Sequence, residues 1–118
     1  MTHAGIRMGA SLALLAALGV AKAATPAGGP GTLYAKNCQS CHAVDGKGNP
    51  KMVKALKVTP ADLDLLDGAS LKKNDADLAR IIAEGANKKM LAYGKKLVPA
   101  QINDLIAFIR GMVKPATR

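Results

Sequence analysis

The sequence is poor in aromatic residues, cysteine and histidine, and each shortage excludes a class of function. Among 118 residues only Tyr34, Tyr93 and Phe108 are aromatic. A nucleic-acid surface, which interleaves basic and aromatic side chains, is therefore not expected despite the net charge of +9. Cys38 and Cys41 are the only cysteines, so a zinc site would lack the second Cys/His pair that completes four ligands. No catalytic nucleophile, acid–base pair or phosphate-binding loop is recognisable elsewhere.

Residues 1–23 have the organisation of a secretory signal peptide. Arg7 provides a short positive region, an apolar run extends from Ser11 to Val20, and Ala21-Lys22-Ala23 offers small residues at the positions that signal peptidase reads. A retained membrane anchor is the alternative, but a run of about ten apolar residues is too short to span a bilayer. We therefore expect cleavage after Ala23, export to the periplasm or outer face of the bacterial inner membrane, and no stable membrane span afterwards.

The stretch Cys38-Gln39-Ser40-Cys41-His42 is the most specific feature of the chain. Two cysteines separated by two residues and followed by histidine form the pattern for covalent haem attachment. Each thiol adds across one vinyl group of the porphyrin, so the two sulfurs must lie one helical turn apart on the same side. The imidazole that follows is then directed at the iron. A redox disulfide is the main alternative, but it calls for a thioredoxin-like βαβ context that the sequence lacks.

Counting histidines limits how the iron can be ligated. Signal cleavage removes His3 and leaves His42 as the only histidine, so a haem with two histidine ligands cannot be built from this chain alone. Cleavage also removes Arg7 and Lys22 from the 17 basic residues, which leaves 15 against 8 acidic ones and a net charge of about +7.

With this motif, and over about residues 31–113, the sequence resembles the class I c-type cytochromes. The resemblance implies an all-α fold, the small cytochrome c fold of three to five short helices wrapped around one covalently bound haem c. It also implies that the first and last helices cross, with Phe108 near Leu33 or Tyr34. In the family a backbone carbonyl of a proline-containing loop accepts the ring N–H of the histidine, and Pro50 is the loosely matching position.

The second informative stretch is the loop that contains Met90. A methionine flanked by lysines in a polar loop needs a reason, because its thioether prefers apolar surroundings. The resemblance implies that Met90 is the second axial ligand, opposite His42. Two residues depart from the family: Leu91 stands where proline is common, and Val98 stands where Ser or Thr usually caps the last helix. Other methionines, a lysine or water are the alternative ligands; the rival methionines are Met52 and Met112.

The remaining chain reads as a lead-in followed by one domain. Residues 24–31 are rich in proline and glycine and predict a flexible lead-in, and residues 32–118 form the haem domain. Capping residues and apolar spacing predict four helices. These run from Leu33 to about Ser40 after a Thr32 cap, from Pro60 to Leu65 or Leu66 with Gly68 as the stop, from the Asn74 cap to Gly85, and from Pro99 to about Gly111. Met52 to Val58 reads as a connector.

An iron with both axial positions filled has no place for a substrate, so the expected function is one-electron transfer between protein partners and not catalysis. Several lysines surround the two motifs and would steer acidic surfaces of an oxidase, reductase or dehydrogenase to the haem edge. They are Lys36, Lys47, Lys88, Lys89, Lys95 and Lys96. A haem enzyme or gas sensor with an open or labile sixth position is the alternative, and the domain working as a subunit of a larger complex is a variant of the same chemistry.

Overall fold

Short α-helices make up most of residues 28–113, the part of the chain that the computed structural model describes. They are α1 (Gly29–Asn37), α2 (Gln39–His42), α3 (Pro50–Leu56), α4 (Pro60–Leu63), α5 (Gly68–Lys72), α6 (Asp75–Glu84) and α7 (Pro99–Arg110). The only β pairing in this range is an isolated antiparallel bridge between Ala86 and Met90. The predicted all-α class is therefore confirmed. None of these helices is long and apolar enough to cross a membrane.

The N-terminal helix begins earlier and ends earlier than predicted. It starts at Gly29, after Gly28 with a φ of 113°, and Pro30 fits its first turn because the N–H that proline lacks has no partner there. Thr32, the predicted cap, lies inside the helix. The predicted signal peptide of residues 1–23 and residues 24–27 of the predicted lead-in lie outside the described residues, whereas residues 29–31 of that lead-in belong to α1. At the other end the helix stops at Asn37, and after Cys38 the one-turn helix α2 carries the rest of the haem motif.

The prediction of a connector from Met52 to Val58 was wrong, because residues 52–56 belong to α3. Its N-cap is Asn49, whose Oδ1 accepts the Lys51 N–H at 3.0 Å, and Pro50 occupies its first turn. The helix is only seven residues long and two of them are lysines, so periodicity gave no sign of it.

The helix predicted from Pro60 is shorter than expected. It ends at Leu63, and Asp64 is already extended. Gly68, the predicted stop, is instead the first residue of α5, which is capped by Asp67 through a 2.6 Å bond to the Ser70 N–H. Two helices, α4 and α5, therefore replace the one predicted. Together with α3, and with α2 that the break at Cys38 creates, they raise the number of helices among the described residues to seven, above the expected three to five.

The two longest helices match their predictions. Asn74 caps α6 by accepting the Asp77 N–H at 2.8 Å, and Gly85 follows its last residue. The last helix begins at Pro99, and Val98 contributes no side-chain cap. Gln101 compensates in part, because its Oε1 accepts the Val98 N–H at 2.9 Å.

The core lies where α7 packs against α1 and α6. Its buried side chains are Tyr34, Leu97, Ile102, Leu105 and Ile106. The rings of Tyr34 and Phe108 lie 5.4 Å apart between centroids at an interplanar angle of 45°, so the predicted crossing of the first and last helices is present. This arrangement fixes the end of α1, and therefore the haem motif, relative to α7.

Candidate functional site

A cavity of about 980 Å³ lies beside this core and is bounded by segments from the end of α1 to α7. That volume is at the upper end of the roughly 300–1,000 Å³ that cofactor sites occupy. Four predicted site residues line it together: Cys38, Cys41, His42 and Met90. Residues separated by about fifty positions in sequence thus share one cavity.

Apolar side chains form much of the cavity wall. The aliphatic lining residues are Leu56, Val58, Leu63, Leu65, Leu71, Leu78, Leu91, Ile81, Ile106 and Ile109. Two of them, Leu78 and Ile81, belong to the apolar stripe of α6, a helix with no fully buried residue. The stripe is therefore directed partly at the cavity, as expected where a large apolar group completes the core.

His42 is held in the tautomer that suits a metal ligand. The side chain is 8% exposed, and its Nδ1 lies 2.8 Å from the backbone carbonyl oxygen of Leu63. A carbonyl can only accept, so Nδ1 carries the proton and Nε2 keeps its lone pair. Burial lowers the pKa of His42, and the bond to Leu63 opposes this only in part. The imidazole is therefore neutral and has one nitrogen available to coordinate.

The accepting carbonyl belongs to Leu63 at the end of α4, and not to the loop of Pro50 that the family resemblance suggested. Pro50 instead starts α3. A backbone carbonyl has no signature in a sequence, so only the path of the chain reveals which residue supplies it.

The one-turn helix α2 is closed by hydrogen bonds to nearly every carbonyl at its end. Asn49 donates its side-chain N–H to the Ser40 carbonyl at 2.9 Å and its backbone N–H to the Cys41 carbonyl at 2.9 Å. The Gly48 N–H reaches the His42 carbonyl at 2.9 Å. These bonds satisfy carbonyls that so short a helix leaves without partners, and they fix the two thiols and the imidazole relative to one another.

Ala43, which follows the histidine, has an unusual backbone conformation. Its φ of 64° and ψ of 168° lie in a region that normally only glycine adopts. The Tyr34 hydroxyl donates to the Ala43 carbonyl at 2.7 Å, and burial raises the pKa of Tyr34 to about 12, so this donor keeps its proton. The sharp turn after His42 is therefore held in place from α1.

Cys38 and Cys41 are free, partly buried thiols. Burial, assisted by the nearby Cys41, raises the pKa of Cys38 to about 11. Cysteines that exchange disulfides have lowered pKa values, and no βαβ unit exists among residues 28–113. The structure thus gives no support to a redox disulfide. No group of three or more His, Cys, Asp and Glu side chains in the described part of the chain is arranged to hold a metal ion.

Three methionines fall within the described residues, and Met90 is the one that lines the cavity with His42. Met52 lies on α3 and is not among the residues that line the cavity. Met112 follows α7 and borders a separate, smaller pocket beside Asp45 and Leu66. This placement favours Met90 over both rivals as the partner of His42.

A tight hairpin presents Met90. The Ala86 carbonyl accepts the Lys89 and Met90 N–H groups, each at 3.0 Å, and the turn residues Asn87 and Lys88 have φ values of 52° and 57°. Gly85 precedes the hairpin with a φ of 81°, and a Cβ there would lie 2.5 Å from the Met90 carbonyl oxygen. Only glycine permits this close approach.

The six lysines named above are all exposed. None of them forms an ion pair within residues 28–113, where the two ion pairs belong to Arg80 and Arg110. Lys89 also lines the cavity beside Met90. These side chains are therefore available to an acidic partner.

The residues present fit a covalently attached haem. The cavity has the size and apolar lining that a porphyrin requires, two free thiols lie at its edge, and a neutral imidazole with an available Nε2 faces it. The residues that would hold the group are Cys38 and Cys41 through thioether bonds, with His42 and Met90 directed at the iron.

Comparison with known proteins agrees with this chemistry. Residues 26–109 match the family model described as Cytochrome C oxidase, cbb3-type, subunit III. The chain is 32% identical over 93 residues to the Cbb3-type cytochrome c oxidase subunit FixP of Azorhizobium caulinodans. That alignment covers 77% of this chain and 29% of the relative, so the chain spans less than a third of the length of the curated relative it matches.

A solved structure of a c-type cytochrome has a similar fold. The KustC0563 c-type cytochrome superposes with a TM-score of 0.61 at 26% identity, over 73% of this chain and 99% of that one. The helical fold, the haem motif on α2 and the family match over residues 26–109 coincide in the same part of the chain. The chain therefore belongs to the family described as Cytochrome C oxidase, cbb3-type, subunit III, and is a class I c-type cytochrome domain.

Proposed function

We propose that this domain is an exported one-electron carrier whose single haem c is attached through Cys38 and Cys41 and ligated by His42 and Met90. The observation that carries the proposal is the shared cavity, which is lined by both thiols, the imidazole and one of the three described methionines. When bound, the haem supplies an iron that alternates between the ferric and ferrous states.

The residues of the chain would supply the ligands of the iron and its apolar surroundings. His42, fixed by the Leu63 carbonyl, would supply a strong nitrogen ligand to the iron, and the Met90 thioether would supply the second ligand and raise the reduction potential. The apolar wall would limit contact between the iron and water, and so limit the reorganisation that accompanies a change of charge. With both ligands bound, the iron would have no open position for a substrate, so the domain would pass electrons only.

The proposed partners are redox proteins with acidic docking surfaces, such as a respiratory oxidase, reductase or dehydrogenase. The exposed lysines beside both motifs support this, and so does the similarity to a subunit of a cbb3-type oxidase. Export rests on the signal-like organisation of residues 1–23, and it would place the domain in the periplasm or on the outer face of the inner membrane.

The test is the optical spectrum of the exported, haem-loaded protein in both oxidation states, for wild type and Met90→Ala. We expect a low-spin c-type spectrum in which the weak far-red sulfur–iron band of the oxidised wild type disappears in the variant. Met52→Ala is the matched control and should retain the band. A wild-type protein that is already high-spin and binds carbon monoxide readily would contradict the proposal and favour a haem enzyme or gas sensor.

A further inference from the structure

Tyr93 connects the Met90 loop directly to the haem-attachment motif. Its hydroxyl donates to the backbone carbonyl of Asn37 at 2.9 Å, across 56 positions of sequence. Asn37 is the last residue of α1 and precedes Cys38. Both residues line the cavity, so the bond joins the segment that follows Met90 to the segment that precedes Cys38 at the cavity wall.

The loop needs such an anchor because little else fixes Met90 on its C-terminal side. The next two residues, Leu91 and Ala92, are exposed, and within residues 28–113 neither backbone N–H finds a backbone acceptor. Leu91 is 72% exposed and stands where the family commonly has a proline, which would restrict the backbone. The first fixed point after Met90 is thus Tyr93.

The hairpin on the N-terminal side of Met90 is strained, and this strain favours movement of the loop. Asn87 and Lys88 are consecutive non-glycine residues in the left-handed region, and a lysine there is strained. Without an opposing anchor, the loop would be free to move Met90 away from His42.

Tyr93 itself is firmly held. Its backbone N–H donates to the Ile82 carbonyl at 2.9 Å, and its carbonyl accepts the N–H groups of Lys96 and Leu97 at 2.9 and 2.8 Å. The Lys96 ammonium lies 5.9 Å from the ring centroid. The backbone position of Tyr93 is therefore already fixed by α6 and by the turn before α7. The hydroxyl adds a connection from this fixed residue to Asn37.

We propose that Tyr93 is a positioning residue whose hydroxyl holds the Met90 loop against the end of α1, so that the Met90 sulfur resists displacement from the iron. This role rests on the proposed His42/Met90 ligation. A phenylalanine would keep the ring and its packing and would remove only the hydrogen-bond donor.

The experiment is an imidazole titration of the oxidised, haem-loaded full-length protein, followed by loss of the far-red sulfur–iron band. In Tyr93→Phe the band should remain at zero imidazole, while the affinity for imidazole should rise about 3- to 10-fold. That change corresponds to about 0.6–1.4 kcal/mol, in the range of one intramolecular hydrogen bond. An unchanged affinity would overturn the role of Tyr93 and leave the His42/Met90 ligation intact.

Tyr34→Phe is the matched control. It also removes a tyrosine hydroxyl that donates to a backbone carbonyl, at 2.7 Å from Ala43, but on the His42 side of the motif and outside the cavity lining. We expect it to lower the midpoint of thermal unfolding while leaving imidazole affinity within about twofold of wild type. An equal rise in both variants would mean general loosening and would refute the specific role. A wild-type protein without the far-red band would instead refute the ligation on which the inference rests.

Discussion

His42 donates its Nδ1 proton to the backbone carbonyl of Leu63, which lies 21 positions further along the chain, at 2.8 Å. The orientation of the proposed iron ligand therefore depends on where the short helix α4 ends. The start of α4 is in turn fixed by Asp62, which accepts hydrogen bonds from the Thr59 hydroxyl at 2.8 Å and from the Thr59 N–H at 2.7 Å. Two residues outside the haem motif thus help to set the geometry of its histidine.

Replacing Asp62 should weaken the protein in a pH-dependent way. The hydrogen bonds from the Thr59 hydroxyl and N–H hold the pKa of Asp62 below its usual value. A carboxyl with a lowered pKa in the folded state contributes stability above its unfolded pKa of about 3.9, and this contribution is lost as the pH falls through the lower folded value. We expect Asp62→Ala to lower the thermal midpoint at pH 6, with a smaller difference from wild type at pH 3. A difference between Asp62→Ala and wild type that grows on acidification would contradict this prediction.

Replacing Ala43 by glycine should stabilise the protein. The φ of 64° and ψ of 168° at Ala43 cost roughly 1–3 kcal/mol for a residue with a Cβ, whereas the added freedom of glycine in the unfolded chain costs about 0.4–1 kcal/mol. The net expectation is about 1 kcal/mol, or about 4–8 °C in the midpoint of thermal unfolding for a domain of this size. Ala107→Gly, at an exposed position within α7, is the control and should destabilise by about 1 kcal/mol. Equal destabilisation by both changes would show that Ala43 is unstrained.

Adding a methyl group at Gly85 should displace the loop that carries Met90. The new Cβ would lie 2.5 Å from the Met90 carbonyl oxygen, and the φ of 81° is unfavourable for alanine, so the hairpin has to shift. We expect Gly85→Ala to lower the free energy of unfolding by about 2 kcal/mol or more and to weaken the far-red sulfur–iron band. Gly68→Ala has no heavy atom within 4 Å of its Cβ and should preserve both properties. Retention of a full band in Gly85→Ala would argue against Met90 as the ligand.

Reversing the charges beside Met90 should change electron transfer to small charged reagents. Lys88→Glu/Lys89→Glu places negative charge at the edge of the cavity, so reduction of hexacyanoferrate(III), an anion, should slow about 3- to 10-fold at low ionic strength. The effect should fade as salt screens the charges. Lys51→Glu/Lys54→Glu changes the net charge equally, but neither lysine lines the cavity, so this double variant should have a smaller effect. Equal slowing in both double variants would indicate that only net charge matters.

The sequence predicted which residues share the cavity better than it predicted the path of the chain. Cys38, Cys41 and His42 could be proposed as the attachment site because covalent attachment imposes a fixed spacing, and α6 and α7 could be identified from their caps and apolar stripes. The helix α3 was missed because its seven residues make only about two turns and include two lysines, too short a stretch for an apolar period to be recognised. The Leu63 carbonyl was missed because any residue can supply a carbonyl.

The contacts of Tyr93 and Tyr34 also could not be predicted from the sequence. Both hydroxyls bind backbone carbonyls, at Asn37 and Ala43, and such partners depend on how helices are placed and not on residue type. The only indication in the sequence was the scarcity of aromatic residues. Each of the two tyrosines connects segments of the chain that few other side chains join.

The hydrogen bonds around α2 differ greatly in their sequence separation, and this difference sets an order for folding. Asn49 reaches Ser40, and Tyr34 reaches Ala43, each across nine positions. Closing such short loops costs little entropy and is fast, whereas the bond from Tyr93 to Asn37 must close a loop of 56 positions. We therefore expect the segment with both thiols and the histidine to gain its shape early, and the methionine side of the cavity to close last.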